Sequence, residues 1–311
     1  MTLTEVPIAP APPDRFRALL GDAYGAVEEA VGTAGEVLAG RTIWHVNSTA
    51  RGGGVAEMLQ SLLAYARGAG VDVRWLTIDG NDEFFRLTKR IHNNLHGADG
   101  DGGTLDARER EVYESTLAAS AKELAALVRE GDVVYLHDPQ TAGLAEELDA
   151  LPISIVWRCH VGLDTPTDHA RRAWEFLRPY VEHADAYVFS REAFAWEGLD
   201  RDRIWVVAPS IDAFSPKNQE LEAPAVDAIL GVAGLGPPAP GEPAFVRQSG
   251  EPGRVGRAAE IDQDEPIATA TPLVVQVSRW DRLKDHAGVL DAFTRHVRHP
   301  DAHLLLVGPS V

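Results

Sequence analysis

Thr42 to Val46 is a short apolar run that leads straight into Asn47-Ser48-Thr49-Ala50-Arg51-Gly52-Gly53-Gly54. Val55 to Arg67 then carries Met58, Leu59, Leu62 and Leu63 at helical spacing, Gly68 and Gly70 close that helix, and Val71 to Ile78 is apolar again. Strand, glycine-rich turn, helix, strand is a βαβ crossover, which commits the chain to a parallel sheet covered by helices.

The alternation continues downstream. Leu105 to Glu130 reads as a long helix, Val133 to His137 as a strand, Ala142 to Ala150 as a helix and Ile153 to Trp157 as a strand. Ala170 to Val181 reads as a helix, with strands at Ala186 to Phe189 and Ile204 to Ala208. This is a doubly wound α/β sheet. Upstream, residues 14–39 are spaced as one helix, and residues 1–12, rich in Ala and Pro, read as a disordered tail. Residues 13–215 thus form one Rossmann-like domain. Residues 216–271 lose periodicity and read as a linker or insertion. The pattern restarts with a strand at Leu273 to Val277, a helix at Asp285 to Val297 and a strand at Ala302 to Val307. So short a βαβ unit cannot bury both faces of its sheet, so residues 272–311 are expected to begin a second domain that is only started here. The alternative is that they extend the first sheet.

The 311 residues suffice for two domains. A net charge of -18 argues against nucleic-acid or anionic-membrane partners, so an anionic ligand needs a local basic cluster. The single cysteine, Cys159, excludes an internal disulfide framework and fits a reducing compartment. Met1 to Pro13 lacks the basic and apolar regions of a signal peptide, and no run reaches the ~18 apolar residues of a membrane span. A cytoplasmic protein is expected.

In a doubly wound sheet, ligands sit outside the carboxyl ends of the strands. Gly52, Gly53 and Gly54 let backbone N–H groups approach an anion at a helix N-terminus, or form a plain turn. Glu57 occupies the third position of the dinucleotide fingerprint, which disfavours a dehydrogenase, and no Gly-Lys-Ser/Thr follows to make a P-loop. Asp79 to Phe85 sets carboxylates and an amide beside aromatic rings, a mix suited to sugars, or is a solvated turn with a cap at Asp82. His137-Asp138-Pro139-Gln140 and Trp157-Arg158-Cys159-His160 each put a histidine at a strand end. No His-Glu-x-x-His or other ligand spacing points to a metal. In the restarted unit, Arg279 and Lys284 lie between a strand and a helix, where two cations suit a diphosphate.

The run Trp44 to Glu57 resembles the opening of trehalose-forming glycosyltransferases. So do Gly80-Asn81-Asp82-Glu83-Phe84-Phe85, Leu136-His137-Asp138-Pro139-Gln140, Trp157-Arg158-Cys159-His160 and Pro209-Ser210-Ile211-Asp212. Val277 to Asp285 resembles the donor-phosphate loop of the wider retaining family with two facing Rossmann-like domains (GT-B type). The resemblance covers residues 40–220 and 270–311 and implies a trehalose synthase of the glycosyl-transferring type. Such an enzyme makes trehalose reversibly, with retention, from a nucleotide-diphosphate glucose and free glucose.

By that resemblance Gly52, Gly53 and Gly54 line the donor-phosphate side, and Asn81, Asp82 and Asp138 hold the acceptor glucose. His160 contacts the transferred glucose, with Arg158 among the substrate-binding residues, and Arg279 and Lys284 neutralise the leaving diphosphate. Partners are then small sugars and a sugar nucleotide, and no cofactor is implied beyond the donor itself; a divalent cation is compatible without protein ligands. The unfinished sheet edge also invites homodimerisation. Two rivals remain open: trehalose phosphorylase, which uses inorganic phosphate, and a noncatalytic sugar-binding fragment. The family's two glutamates, seven residues apart, which bind donor sugar and ribose, are expected beyond Val311. These 311 residues alone are therefore expected to show little or no transferase activity. A direct assay checks this: robust trehalose formation from nucleotide-glucose by the purified chain overturns it.

Overall fold

The structure, a computed structural model, describes residues 2–247, 250–263, 265–268 and 270–309. It divides into two compact units, residues 1–211 and 212–311.

The first unit begins with strand β1 (Leu3–Glu5), a single turn α1 (Arg17–Leu20) and helix α2 (Gly25–Val37). The alternating core follows: β2 (Ile43–Asn47), α3 (Gly54–Gly68), β3 (Val73–Ile78), α4 (Asp82–Leu95) and α5 (Ala107–Leu127). Then come β4 (Val133–His137), short helices α6 (Asp138–Thr141) and α7 (Leu144–Leu148), and β5 (Ser154–Cys159). Helix α8 (Asp168–Val181), β6 (Ala186–Phe189) and β7 (Ile204–Val206) complete it. The strand order is β1-β3-β2-β4-β5-β6-β7, antiparallel at β1 and parallel elsewhere. From β2 one crossover leads to β3 and the next returns on the other side to β4, so the topological switch point lies between β2 and β4.

Two expectations for the N-terminus are corrected. The described residues of the 1–12 stretch are not a disordered tail: Leu3 pairs with Ile78, the Val6 N–H donates to the Trp75 carbonyl, and Leu3 and Ile8 are buried. Burial of two apolar side chains plus strand pairing outweighs the low helical and strand propensity of the proline-rich segment. Nor are residues 14–39 one helix. Gly21 takes φ +52, which only glycine adopts cheaply, and ends α1 after one turn.

Period-two alternation assigns the two faces of the sheet. Trp44, Val46, Val134, Leu136, Trp157 and Cys159 point into the larger core, which is completed by α4, α5, α7 and α8. Ile43, Val73 and Trp75 point into a smaller core under α3, built with Leu59 and Leu63. At the amino ends of the strands, the carboxylate of Asp132, the residue before β4, accepts three hydrogen bonds. They come from the Thr42 N–H (2.9 Å), the Trp44 indole Nε1–H (3.0 Å) and the Arg129 N–H (3.0 Å). Burial pulls its pKa upward, but these donors take it below the usual carboxylate value.

The second unit contains α9 (Ala223–Ala233), a hairpin of β8 (Ala244–Val246) and β9 (Pro252–Arg254), and the parallel pair β10 (Leu273–Val277) and β11 (His303–Val307) joined by α10 (His286–His296). Residues 216–271 therefore hold a helix and a hairpin where the sequence suggests a linker. Proline and glycine at the ends of α9 set its limits, and its mainly small side chains hide the helical period. Strand β10 keeps its apolar side chains exposed, Val277 at 74%.

Replacing Asp132 with Ala leaves three donors at a buried site without their acceptor. The expected loss is about 2–4 kcal/mol of stability, read from the midpoint of urea unfolding with an unchanged slope.

Candidate functional site at the carboxyl edge of the sheet

The same alternation that sends Trp44, Leu136 and Trp157 into the larger core sends a polar row to the opposite face. Register places His45 beside Tyr135 and His137 beside Arg158. His160 follows β5 two residues after Arg158. The row meets in space. His45 Nδ1 lies 3.0 Å from His137 Nε2, and His137 Nδ1 lies 3.1 Å from His160 Nε2. The rings are stacked, His45 on Tyr135 at 4.9 Å and His137 on His160 at 5.4 Å between centroids. His45 and His137 are buried. Asn47, on the same face, accepts from the Trp75 indole (2.8 Å) and donates to the Thr49 carbonyl (2.7 Å), anchoring the start of the glycine-rich loop.

Asp138 links two strand ends. Its backbone sits at φ +63, a region costing a non-glycine residue about 1–3 kcal/mol, and it opens α6 with Pro139 behind it. Its Oδ1 accepts the His160 backbone N–H at 2.8 Å, and its carbonyl accepts the Trp157 indole at 3.2 Å. Tyr113 pins the next residue by donating to the Pro139 carbonyl (2.5 Å). The strain is thus held by bonds from β5 and α5.

Electrostatics follow from burial around one cation. Burial, then the Arg158 charge, push both His45 and His160 down to about 3. Burial, then the two neighbouring imidazoles and Arg158, hold His137 well below its ordinary value. Burial pushes Asp138 up to about 7, against the pull of the His160 N–H and Arg158. At neutral pH the row is three neutral imidazoles beside a guanidinium and a carboxyl balanced near its pKa.

Of the residues singled out in the sequence, Asp138, Arg158 and His160 converge here. Gly52 and Gly53 end the turn between β2 and α3 and Gly54 opens the helix; Gly52 is at φ +80, and a Cβ at any of the three meets nothing within 4 Å. The turn therefore presents open backbone beside the switch point. Asn81, not Asp82, caps α4, its Oδ1 accepting the Phe84 N–H at 2.8 Å, and Asp82 is the first helical residue. Phe84 is wholly in the core, which leaves Phe85 as the exposed ring there. Arg279 and Lys284 lie on the β10–α10 loop of the second unit, both exposed, Arg279 3.7 Å from Asp281.

His45 and Tyr135 complete the row without having been singled out from the sequence. The available signal was the repeat of a polar residue two positions apart on three strands: His45-x-Asn47, Tyr135-x-His137 and Arg158-x-His160. Among the described residues no group of three or more His, Cys, Asp or Glu is arranged to hold a metal ion, and no helix is long and apolar enough to cross a membrane.

The depressed histidines favour the fold above pH 6.5 and lose that contribution as pH falls below 6.5, His45 and His160 down to about 3. Asp138 has the opposite sign: its contribution is full below 3.8 and is lost as pH rises through about 7. Near pH 5 unfolding therefore takes up three protons at the imidazoles and releases one at Asp138, about two net from this cluster. Urea unfolding between pH 4.5 and 6 should show stability falling with acid, and Asp138→Asn should steepen that slope by about one proton. An unchanged slope would contradict the assignment.

Residues 45–196 match the family model described as "Trehalose synthase, N-terminal domain". The trehalose synthase of Rubrobacter xylanophilus is 32% identical over 289 residues, covering 92% of this chain and 59% of that protein. A trehalose phosphorylase of Pleurotus pulmonarius is 27% identical over 189 residues, covering 57% of this chain and 26% of that one. A solved structure of the trehalose-6-phosphate synthase OtsA matches with a TM-score of 0.55 at 13% identity, over 87% of this chain and 65% of that one. At that identity the likeness is one of fold, the GT-B class. The chain spans about three fifths of the length of the trehalose synthase it matches.

Proposed function

From the match of residues 45–196 to the trehalose synthase N-terminal domain, we propose that this chain carries the sugar-handling part of a retaining glucosyltransferase. The reaction joins glucose from a nucleotide-diphosphate glucose to the anomeric hydroxyl of free glucose, reversibly, giving trehalose. The observation that carries this reading is the junction of Asp138 and His160. A strained backbone at one strand end is tied by its own carboxylate to the next strand end, beside the switch point. Such strain persists where the surrounding structure over-determines it, which is a mark of preorganised sites.

Asp138 and Asn81 bind the acceptor, His160 and Arg158 face the transferred glucose, and the open N–H groups of Gly52 to Gly54 serve the phosphate side. On the second unit, Arg279 and Lys284 are exposed cations of the kind that neutralises a departing diphosphate. A retaining hydrolase needs two carboxyls about 5–5.5 Å apart, whereas the Asp138 carboxylate is bonded here to the His160 backbone N–H, with Arg158 as its nearby charge. Front-face displacement fits this site better. The bond from the glucosyl C1 to the phosphate oxygen breaks, C1 bonds to the acceptor oxygen, and the acceptor proton passes to the departing phosphate oxygen. No protein nucleophile is required.

The similarity to a trehalose phosphorylase over 189 residues favours one second reading, with inorganic phosphate replacing the nucleoside diphosphate. Phosphorolysis of trehalose by inorganic phosphate, set against its reaction with a nucleoside diphosphate, separates the two in an active chain.

Titration calorimetry tests the sugar site itself. The 311-residue chain should bind glucose or trehalose, and Asp138→Ala should weaken that binding at least about tenfold, the scale of one charge-assisted hydrogen bond. No binding of either sugar to the unaltered chain overturns the reading.

A further inference from the structure

The three histidines are joined nitrogen to nitrogen, which restricts their protons more than their positions alone suggest. A neutral imidazole has one N–H and one bare nitrogen. Each of the two links, 3.0 Å from His45 Nδ1 to His137 Nε2 and 3.1 Å from His137 Nδ1 to His160 Nε2, needs one donor and one acceptor. If His45 donates through Nδ1, His137 accepts at Nε2, so its proton is on Nδ1; that proton goes to His160 Nε2, and His160 carries its own proton on Nδ1. If His160 instead donates through Nε2, the same logic puts the proton on Nε2 in all three rings. The row therefore has two coherent states, all Nδ1–H or all Nε2–H. Any mixture sets two N–H groups or two bare nitrogens against each other at a buried link.

Neither His45 Nε2 nor His160 Nδ1, the two ends of this row, has a hydrogen-bond partner among the described residues; the His45 ring is buried, so the end open to a ligand, on a ring that is only partly buried, is His160 Nδ1. In the first state that atom is a donor; in the second it is an acceptor. We infer that His45 and His137 are positioning residues that set the tautomer of His160 and so decide whether its Nδ1 donates to, or accepts from, a sugar hydroxyl. This rests on the sugar-binding reading of His160 above. Tyr135, stacked on His45 at 4.9 Å, supports the row, and burial, then the Arg158 charge, keep it neutral. The relay adds no charge to the site. It passes the hydrogen-bonding polarity of a buried residue on β2 to an atom beyond the end of β5, two strands away.

Nitrogen NMR of histidine-labelled chain near pH 7 reads the tautomer of each ring directly, with no ligand and no substitution. The expected result is one shared tautomer at His45, His137 and His160. A mixture of tautomers among the three overturns the inference. His45→Leu removes the terminal partner at nearly constant shape, and should shift the His160 ring-nitrogen signals although the two rings do not touch. His45→Asn places an amide where Nδ1 stood and should restore the wild-type His160 signals. A His160 spectrum unmoved by His45→Leu, in a variant whose circular dichroism is unchanged, also overturns it. With glucose and trehalose as probes, His45→Leu should weaken binding about three- to tenfold, and His45→Asn should recover most of it. Coupled tautomers with no sugar binding in any variant leave the relay standing and remove the sugar reading; sugar binding without coupling does the reverse.

Discussion

The constraint on which the site depends is the two-residue period of β2, β4 and β5. Each strand must send one set of side chains into the larger core, where Trp44, Val46, Val134, Leu136 and Trp157 are all buried. That requirement fixes which way the intervening residues face. A register slip of one residue would carry His45, His137 and Arg158 into the apolar core and expel the tryptophans. The hydrophobic core therefore acts as the jig that aligns the polar row, and the row adds little cohesion of its own. Asp132 does the corresponding work at the amino ends, tying β2 to the turn before β4.

Much of this fold was legible in the sequence because parallel strands buried on both faces are near-continuous apolar runs. The units Thr42 to Ile78 and Val133 to Trp157 follow from that texture and from the turns between them. Strand β1 was not legible: three residues in a proline-rich stretch carry no period, and its existence depends on the free edge of β3, which only the assembled sheet offers. Helix α9 was hidden for a different reason, since its four alanines and one glycine leave no clear stripe.

The site was legible in part. Asp138, Arg158 and His160 stand out as charged or titratable residues at strand ends, where ligands of such sheets gather. His45 sits inside a strand, two residues before its end, and its neighbours in the chain are apolar. Its importance comes from the strand order, which puts β4 between β2 and β5, and that order is set by the return crossover after α5. The raised carboxyl of Asp138 and the lowered imidazoles share one cause, exclusion of water near Arg158, and no pattern of residue types encodes that exclusion.

Cys159 is the only thiol in the chain and is fully buried on the apolar face of β5, between Arg158 and His160. Its sulfur meets no reagent in the closed sheet, and burial also holds the thiol well above its ordinary pKa. Alkylation of the unaltered chain thus clocks the opening of the strand that carries the site. A slow rate insensitive to reagent concentration would time the opening itself, while a rate proportional to reagent would give the free energy of the open state.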